Sequence, residues 1–396
     1  MDLKKQIVQE HVDALRDELL DLSHFIHDHP EVGLQEFQAV RKITEILERH
    51  GLQIKTGICG LETAFIASKD GVSSGPHIAF LAEYDALAGI GHGCGHNIIA
   101  TCAVGAFLAV CDLMGELPGR VSLIGTPAEE NYGAKCIMVE QGLFDDVDFA
   151  MMIHPSAKES LINRSGRAVA TVDVRFTGRS AHSALPQTGI NALSAAIELF
   201  NGVDRLRPVF LPTDNVNGII SDGGHVANVI PEVATCSFCV RSCKRSELNQ
   251  LVAHIQQAAD AAAMLVGAKV EVQVRHMMGE RYPNLPMSEA FKENMEQLGE
   301  TMAYADANKL YGSSDIGNVS VKVPIIHDYL RISTRPDVNE HSTAFAEDAV
   351  SPRGDEVCIK GAKGLAMTAL DLLEDPALRE KIYIYQRKHV PAEYRK

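Results

Sequence analysis

What this chain has little of narrows its identity first. Lys and Arg number 37 against 52 Asp and Glu, for a formal charge of -15. There is no basic excess to displace counterions from a nucleic acid or to hold the chain on an anionic membrane. A long apolar run, from Ile98 to Val110, stops before Asp112 and falls short of the roughly 20 apolar residues that a membrane-spanning helix needs. The nine cysteines, an odd number at positions 59, 94, 102, 111, 136, 236, 239, 243 and 358, lack the spacing of a disulfide framework and point to reduced thiols. Met1-Asp2-Leu3-Lys4-Lys5 runs straight into a charged amphipathic pattern with no apolar h-region or cleavage site, so a cytoplasmic protein is expected. No internal repeat and no low-complexity linker is present. At 396 residues the chain exceeds one comfortable core, and two domains are expected.

What is present alternates between two periods. Residues 5–27 and 35–50 place apolar side chains at three- and four-residue steps, reading as amphipathic helices, the second closed by Gly51. Leu52–Lys55, Thr63–Ser68, His77–Ala82, Arg120–Gly125 and Asp148–Ile153 are short apolar runs bounded by turn residues, reading as strands. Helices at 98–110 and 133–140 fall between them. This pattern predicts an α/β fold, a mixed, mostly parallel sheet flanked by helices. From about Arg167 the texture changes to half-exposed alternation at 169–176, 233–240 and 268–274 with helices at 191–203 and 248–265, an inserted α+β unit. Helix, strand and a terminal helical pair after Pro286 return to the first pattern. The expected domains are therefore 1–166 with 279–396, and 167–278.

Parallel sheets gather chemistry beyond their C-terminal strand ends. Glu83 and Asp85, Glu129 and Glu130, and His154 each follow a buried-strand candidate, and the glycine-rich stretch from Ala82 to Asn97 adds Cys94 and His96, whose spacing lets both reach one ion from a turn. Each has an ordinary alternative: Glu129-Glu130 as a solvated acidic helix start, His154 and His341 as turn or core histidines, Cys94 as a core residue. Their accumulation at successive strand ends favours chemistry. One of two adjacent glutamates can hold a metal while the other stays free as a general base.

These residues carry a resemblance. His29-Pro30-Glu31, Glu36-Phe37, Ala82–Ala86, Gly91–Asn97, Thr126–Glu130 and His154-Pro155 resemble the M20 family of metallopeptidases and amidohydrolases, within it the aminoacylase-like branch. The likeness continues through Gly178–Leu193, Gly223–Pro231, Arg241, Gly312–Asn318 and His341-Ser342. It implies that Cys94, His96, Glu130, His154 and His341 bind two divalent metal ions, zinc or manganese, with Cys94 bridging. By the same resemblance Glu129 is the general base and Asp85 orients a ligand from behind. The inserted unit resembles a lid and dimerisation domain, in which His182 is expected to reach a partner subunit's active site and steady the oxyanion, and Asn228 and Arg241 bind substrate, Arg241 clamping a carboxylate. Asn97 stands where the branch more often has aspartate, as in a subset that includes p-aminobenzoyl-glutamate hydrolase subunits and basic dipeptidases. A structural hydrogen bond suits it. Glu83 and His92 receive no role. Cys236 and Cys239, three apart on an alternating strand, point to opposite faces and make no second metal site.

The implied activity is hydrolysis of the amide bond of an N-acyl amino acid or small dipeptide-like substrate with a free carboxylate. The implied partners are that small molecule and a second copy of the chain through the lid, or a larger assembly, with neither nucleic acid nor membrane. Two rivals stand beside it: a cysteine hydrolase with Cys94 as nucleophile and His154 as its base, and a catalytically lapsed binding protein.

Overall fold

The computed structural model describes residues 3–394. Its contacts divide into two compact units, residues 1–165 with 281–309 and 314–396, and residues 166–280 with 310–313.

The first unit opens with α1 (Leu3–Ala14) and α2 (Arg16–Asp28), so the amphipathic stretch expected as one helix is interrupted at Leu15. Helix α3 (Phe37–Arg49) follows, and Gly51 beyond its end adopts φ +73°, the left-handed conformation that closes a helix. Then come β1 (Ile54–Thr56), β2 (Phe65–Asp70), β3 (Ser73–Ala82), α4 (His96–Cys111), β4 (Pro118–Gly125), α5 (Ala134–Glu140), β5 (Phe149–Ser156) and β6 (Leu161–Ile162).

The second unit contains β7 (Ala168–Thr177), β8 (Ala181–His182), α6 (Ala192–Leu206), β9 (Asn215–Asp222), β10 (Val229–Ile230), β11 (Val233–Ser242), α7 (Arg245–Val266) and β12 (Lys269–Met278). Four of these strands form an antiparallel sheet in the order β12-β7-β11-β9, and β8 pairs with β10 in a separate ribbon. Alternate residues of β7 and β11, such as Val172, Val174, Cys236 and Phe238, are buried with Leu199 of α6 and Ile255 of α7. The chain returns to the first unit with α8 (Leu285–Gln297), β13 (Ala303–Tyr304), α9 (Ile316–Ser320), β14 (Ile325–Arg331), α10 (Thr343–Asp348), α11 (Pro352–Glu374) and α12 (Pro376–His389).

The large sheet runs β1-β2-β4-β3-β5-β14-β6-β13. Its four central strands, β4, β3, β5 and β14, are mutually parallel, whereas β1, β2 and the β14–β6 contact are antiparallel. The order follows from composition: Pro76–Ala82 and Phe149–Ile153 are buried without interruption, as strands covered on both faces must be. Helix α4 has no charged residue and is buried from His96 to Val110, which makes it the axis of the core formed with α2 and α11. A smaller core on other residues of the same strands includes Met138 of α5 and Val319 of α9. Among the described residues no helix is long and apolar enough to cross a membrane.

Candidate metal centre

The C-terminal ends of β3, β4 and β5 lie side by side, and the residues that follow them converge. Beyond β3, Asp85 is buried and its Oδ1 stands 3.0 Å from His96 Nδ1, while Oδ2 accepts the backbone N–H of Glu130 at 3.0 Å. One carboxylate thus ties the β3 and β4 loops to the first residue of α4. Nδ1 engaged in this way leaves Nε2 as the free face of the imidazole.

The turn into α4 is closed by Gly95 at φ +76°, a conformation that side-chain-bearing residues resist. A Cβ there would come within 2.5 Å of Pro155 Cγ. The glycine therefore lets the β5 end approach the turn closely enough for Cys94 Sγ and His154 Nε2 to stand 3.5 Å apart. His341 arrives from the segment after β14. Its backbone N–H donates to Gly93 O at 2.7 Å, with φ +62°. The preceding Glu340 accepts the N–H of Ala157 at 2.9 Å and the Ser156 hydroxyl at 3.2 Å, so the arriving loop is pinned to the end of β5.

Three sets of donor atoms crowd within 4.8 Å of one another: Cys94, His96 and His154; Cys94, Glu130 and His341; His96, Glu129 and Glu130. Glu130 Oε1 lies 3.7 Å from His96 Nε2 and 3.6 Å from His341 Nε2. Both Glu130 Oε1 and His96 Nε2 are buried without a hydrogen-bond partner. Buried polar atoms rarely go unsatisfied. Here the orphans point at one another's neighbourhood, with a shared thiol at its centre.

Electrostatics supports the same conclusion. Burial raises the Cys94 thiol well above its ordinary range, and the Glu130 charge raises it further. Burial and Glu130 likewise push Glu129 well up. Burial would lower His96, but Asp85 and the Cys94 sulfur outweigh it and hold the imidazole well up; burial and His96 push His154 well down. For Asp85 the opposing pull of burial is overcome by His96, and the carboxyl stays below its usual value. A divalent cation favours thiolate, carboxylate and neutral imidazole, which satisfies the strained set as a whole. The donors thus fit a metal in number, type and orphaned atoms. Cys94 as a nucleophile fits less well, since its sulfur belongs to two of the three donor sets rather than facing one base.

The remaining sequence candidates fall elsewhere. His182 and Asn228 lie together in the second unit, where Val229 pairs with His182 across the β8–β10 ribbon and Ser183 N–H donates to Asn228 O. Arg241, on β11, donates from its guanidinium to the Ser313 hydroxyl at 2.7 Å. Asn97 does make structural bonds, to Ser23 Oγ at 2.9 Å and Ala349 O at 3.3 Å. His92 is buried near His27 and belongs to none of the three donor sets. Cys236 is buried and Cys239 exposed, on opposite faces of β11. Sequence reasoning missed Glu340 altogether. It also missed Lys135, whose only signal was a cation on the buried stripe that includes Ala134 and Met138.

The donors fit a metal-dependent hydrolase, the class to which the relatives belong. The model of the peptidase dimerisation domain matches residues 164–264. The mouse Xaa-Arg dipeptidase is 35% identical over 398 residues, covering 96% of this chain and 92% of that one. A p-aminobenzoyl-glutamate hydrolase component from Escherichia coli is 29% identical over 74% of this chain and 65% of its own. Among solved structures, a Bacillus subtilis dinuclear metal-binding peptidase superposes with a TM-score of 0.66 at 22% identity, covering 91% of this chain and 99% of that one, a likeness of fold. The chain belongs to the M20 family of metal-dependent peptidases and amidohydrolases.

Proposed function

We propose that this protein hydrolyses the amide bond of a dipeptide or an N-acyl amino acid that carries a free carboxylate, releasing an amino acid. The observation that carries this reading is that Glu129 groups with His96 and Glu130, which themselves group with Cys94, His154 and His341. The Xaa-Arg dipeptidases and the aminobenzoyl-glutamate hydrolase, whose substrates share an amide bond and a terminal carboxylate, support the substrate class.

Two metal ions, zinc or manganese, would be held by those five donors and would supply Lewis acidity toward the scissile carbonyl. Glu129, set back by one residue from Glu130, takes a proton from the attacking water and passes it to the departing nitrogen. Asp85 keeps His96 in the tautomer that presents Nε2. In the second unit His182 steadies negative charge on the carbonyl oxygen, while Asn228 and Arg241 bind substrate, Arg241 through the planar fork that suits a carboxylate. The match to a peptidase dimerisation domain supports a homodimer through that unit; the unit also serves as a lid over the catalytic metal-binding domain at 1–166 and 279–396. A cytoplasmic location fits the reduced cysteines, none of which is in a disulfide.

The test combines metal and base. Purified protein is stripped with a chelator, reconstituted with zinc or manganese, and assayed on Xaa-Arg dipeptides, aminobenzoyl-glutamate and acetylated amino acids. Activity is expected to vanish on stripping and return with metal, and Glu129→Gln is expected to abolish turnover while retaining bound metal. Full activity in metal-free protein, or near-normal turnover in Glu129→Gln, refutes the reading.

A further inference from the structure

Behind the donor set lies a buried group of charges that the proposed reaction does not use. Lys135, at the start of α5 and fully buried, donates from Nζ to Glu83 Oε1 at 2.6 Å and to Asp315 Oδ1 at 2.7 Å. Its backbone N–H reaches the other oxygen of Asp315 at 3.0 Å. Glu83 and Asp315 are themselves buried. Taking three ionised groups out of water costs far more than a surface pair would, so the arrangement calls for a reason other than stability.

The second oxygen of Glu83 supplies one. Oε2 stands 3.5 Å from His96 Nε2, the buried nitrogen left without a hydrogen-bond partner. That separation matches those among the candidate donors themselves, 3.5 Å for Cys94 with His154 and 3.7 Å for His96 with Glu130. Asp85 already occupies the opposite ring nitrogen. The face of His96 available to a cation is therefore shared with Glu83.

We propose that Glu83 is an additional carboxylate of the metal centre and that Lys135, anchored by Asp315, is its positioning residue. The ammonium fixes one oxygen of Glu83 and so presents the other toward the ion that His96 binds. A carboxylate without this hold is free to swing away from the imidazole. The Lys135 ammonium also offsets part of the negative charge that Glu83, Asp85, Glu129, Glu130 and Asp315 concentrate here. The inference rests on the reading of Cys94, His96, Glu130, His154 and His341 as metal ligands.

The test measures metal binding directly. Full-length wild type, Glu83→Gln, Lys135→Met and the double variant are stripped of metal, checked for native circular dichroism, and titrated with zinc or manganese alone against a competing chelator. Glu83→Gln is expected to weaken binding by about 10- to 100-fold, the range for groups that orient or support ligands, and to lower the unfolding midpoint of the metal-free protein as well. A merely structural role would move the midpoint and leave the affinity. The double variant is expected to bind no more weakly than Glu83→Gln, because the lysine acts through that carboxylate. Should the lysine variants fail to fold, Asp315→Asn removes the anchor more gently, with a smaller loss expected in wild type and none on the Glu83→Gln background. Wild-type affinity in Glu83→Gln overturns the proposal, and fully additive losses overturn the positioning role. A wild type that binds neither metal sinks the ligand assignment instead, so the two failures are distinguishable.

Discussion

The clearest demand the geometry makes is on Gly95, and Gly95→Ala puts a size on it. The backbone there is left-handed at φ +76°, which costs a residue with a Cβ about 1–2 kcal/mol. The added methyl would also lie 2.5 Å from Pro155 Cγ and 3.3 Å from its Cβ, closer than carbon atoms tolerate. Relief by displacement in a packed interior costs about 1–3 kcal/mol more. The total of about 2–5 kcal/mol should lower the thermal midpoint by several degrees. The direction of relief matters as much: Pro155 follows His154, so pushing the proline away drags the imidazole from Cys94, now 3.5 Å distant. Thermal unfolding by circular dichroism of metal-free protein and chelator competition on the same samples would register both effects, destabilisation and weaker metal binding. A midpoint within a degree of wild type with unchanged affinity would refute the claim that this close approach builds the centre.

Two further outcomes are expected. Asp328 is buried, and burial lifts its carboxyl from 3.8 to about 7 despite hydrogen bonds from Asn163 N and Ser288 Oγ. The folded state then holds a proton that the unfolded chain releases near 3.8, so stability is greatest in acid and falls as pH rises toward 7, by about 4 kcal/mol at most at roughly 1.4 kcal/mol per pH unit. Asp328→Asn removes this dependence, and urea unfolding should show its advantage over wild type growing by about 3 kcal/mol between roughly pH 5 and pH 8; a constant difference would contradict the linkage. Asp85→Asn loses the anionic hold on His96 Nδ1 and should weaken metal binding by about 10- to 100-fold in the chelator assay with native circular dichroism retained, whereas an unaltered affinity would leave Asp85 without its orienting role.

How far the sequence could be read depended on whether the deciding contacts were local. Strands β3, β4 and β5 are visible because strands buried on both faces are apolar throughout, and α4 because it carries no charge at all. Knowing their ends was enough to bring Asp85, Cys94, His96, Glu129, Glu130 and His154 under suspicion together. Strand β9 escaped notice: Gly218 interrupts it, and Ile219 and Ile220 are exposed at the sheet edge, so neither alternation nor burial marks it. The two-residue strands are too short to have a period. Lys135 could not be understood from its own stretch, because its meaning lies in partners 52 and 180 positions away in the chain. Glu340 is likewise an ordinary acid until Ser156 and Ala157 are seen against it.

The dependence of the centre on His341 also sets a timetable. Cys94, His96, Glu129, Glu130 and His154 all precede the inserted unit, which begins at residue 166, whereas His341 follows only after that unit and α8 have been made. An N-terminal portion folding during synthesis gathers a thiol, two imidazoles and two carboxylates, a partial claw that can seize a cation but lacks its last finger. The backbone bond from His341 to Gly93 is what shuts it. If these residues bind metal as proposed, completion of the centre waits for a late segment of the chain, and a chain arrested within the inserted unit carries a half-built set of donors.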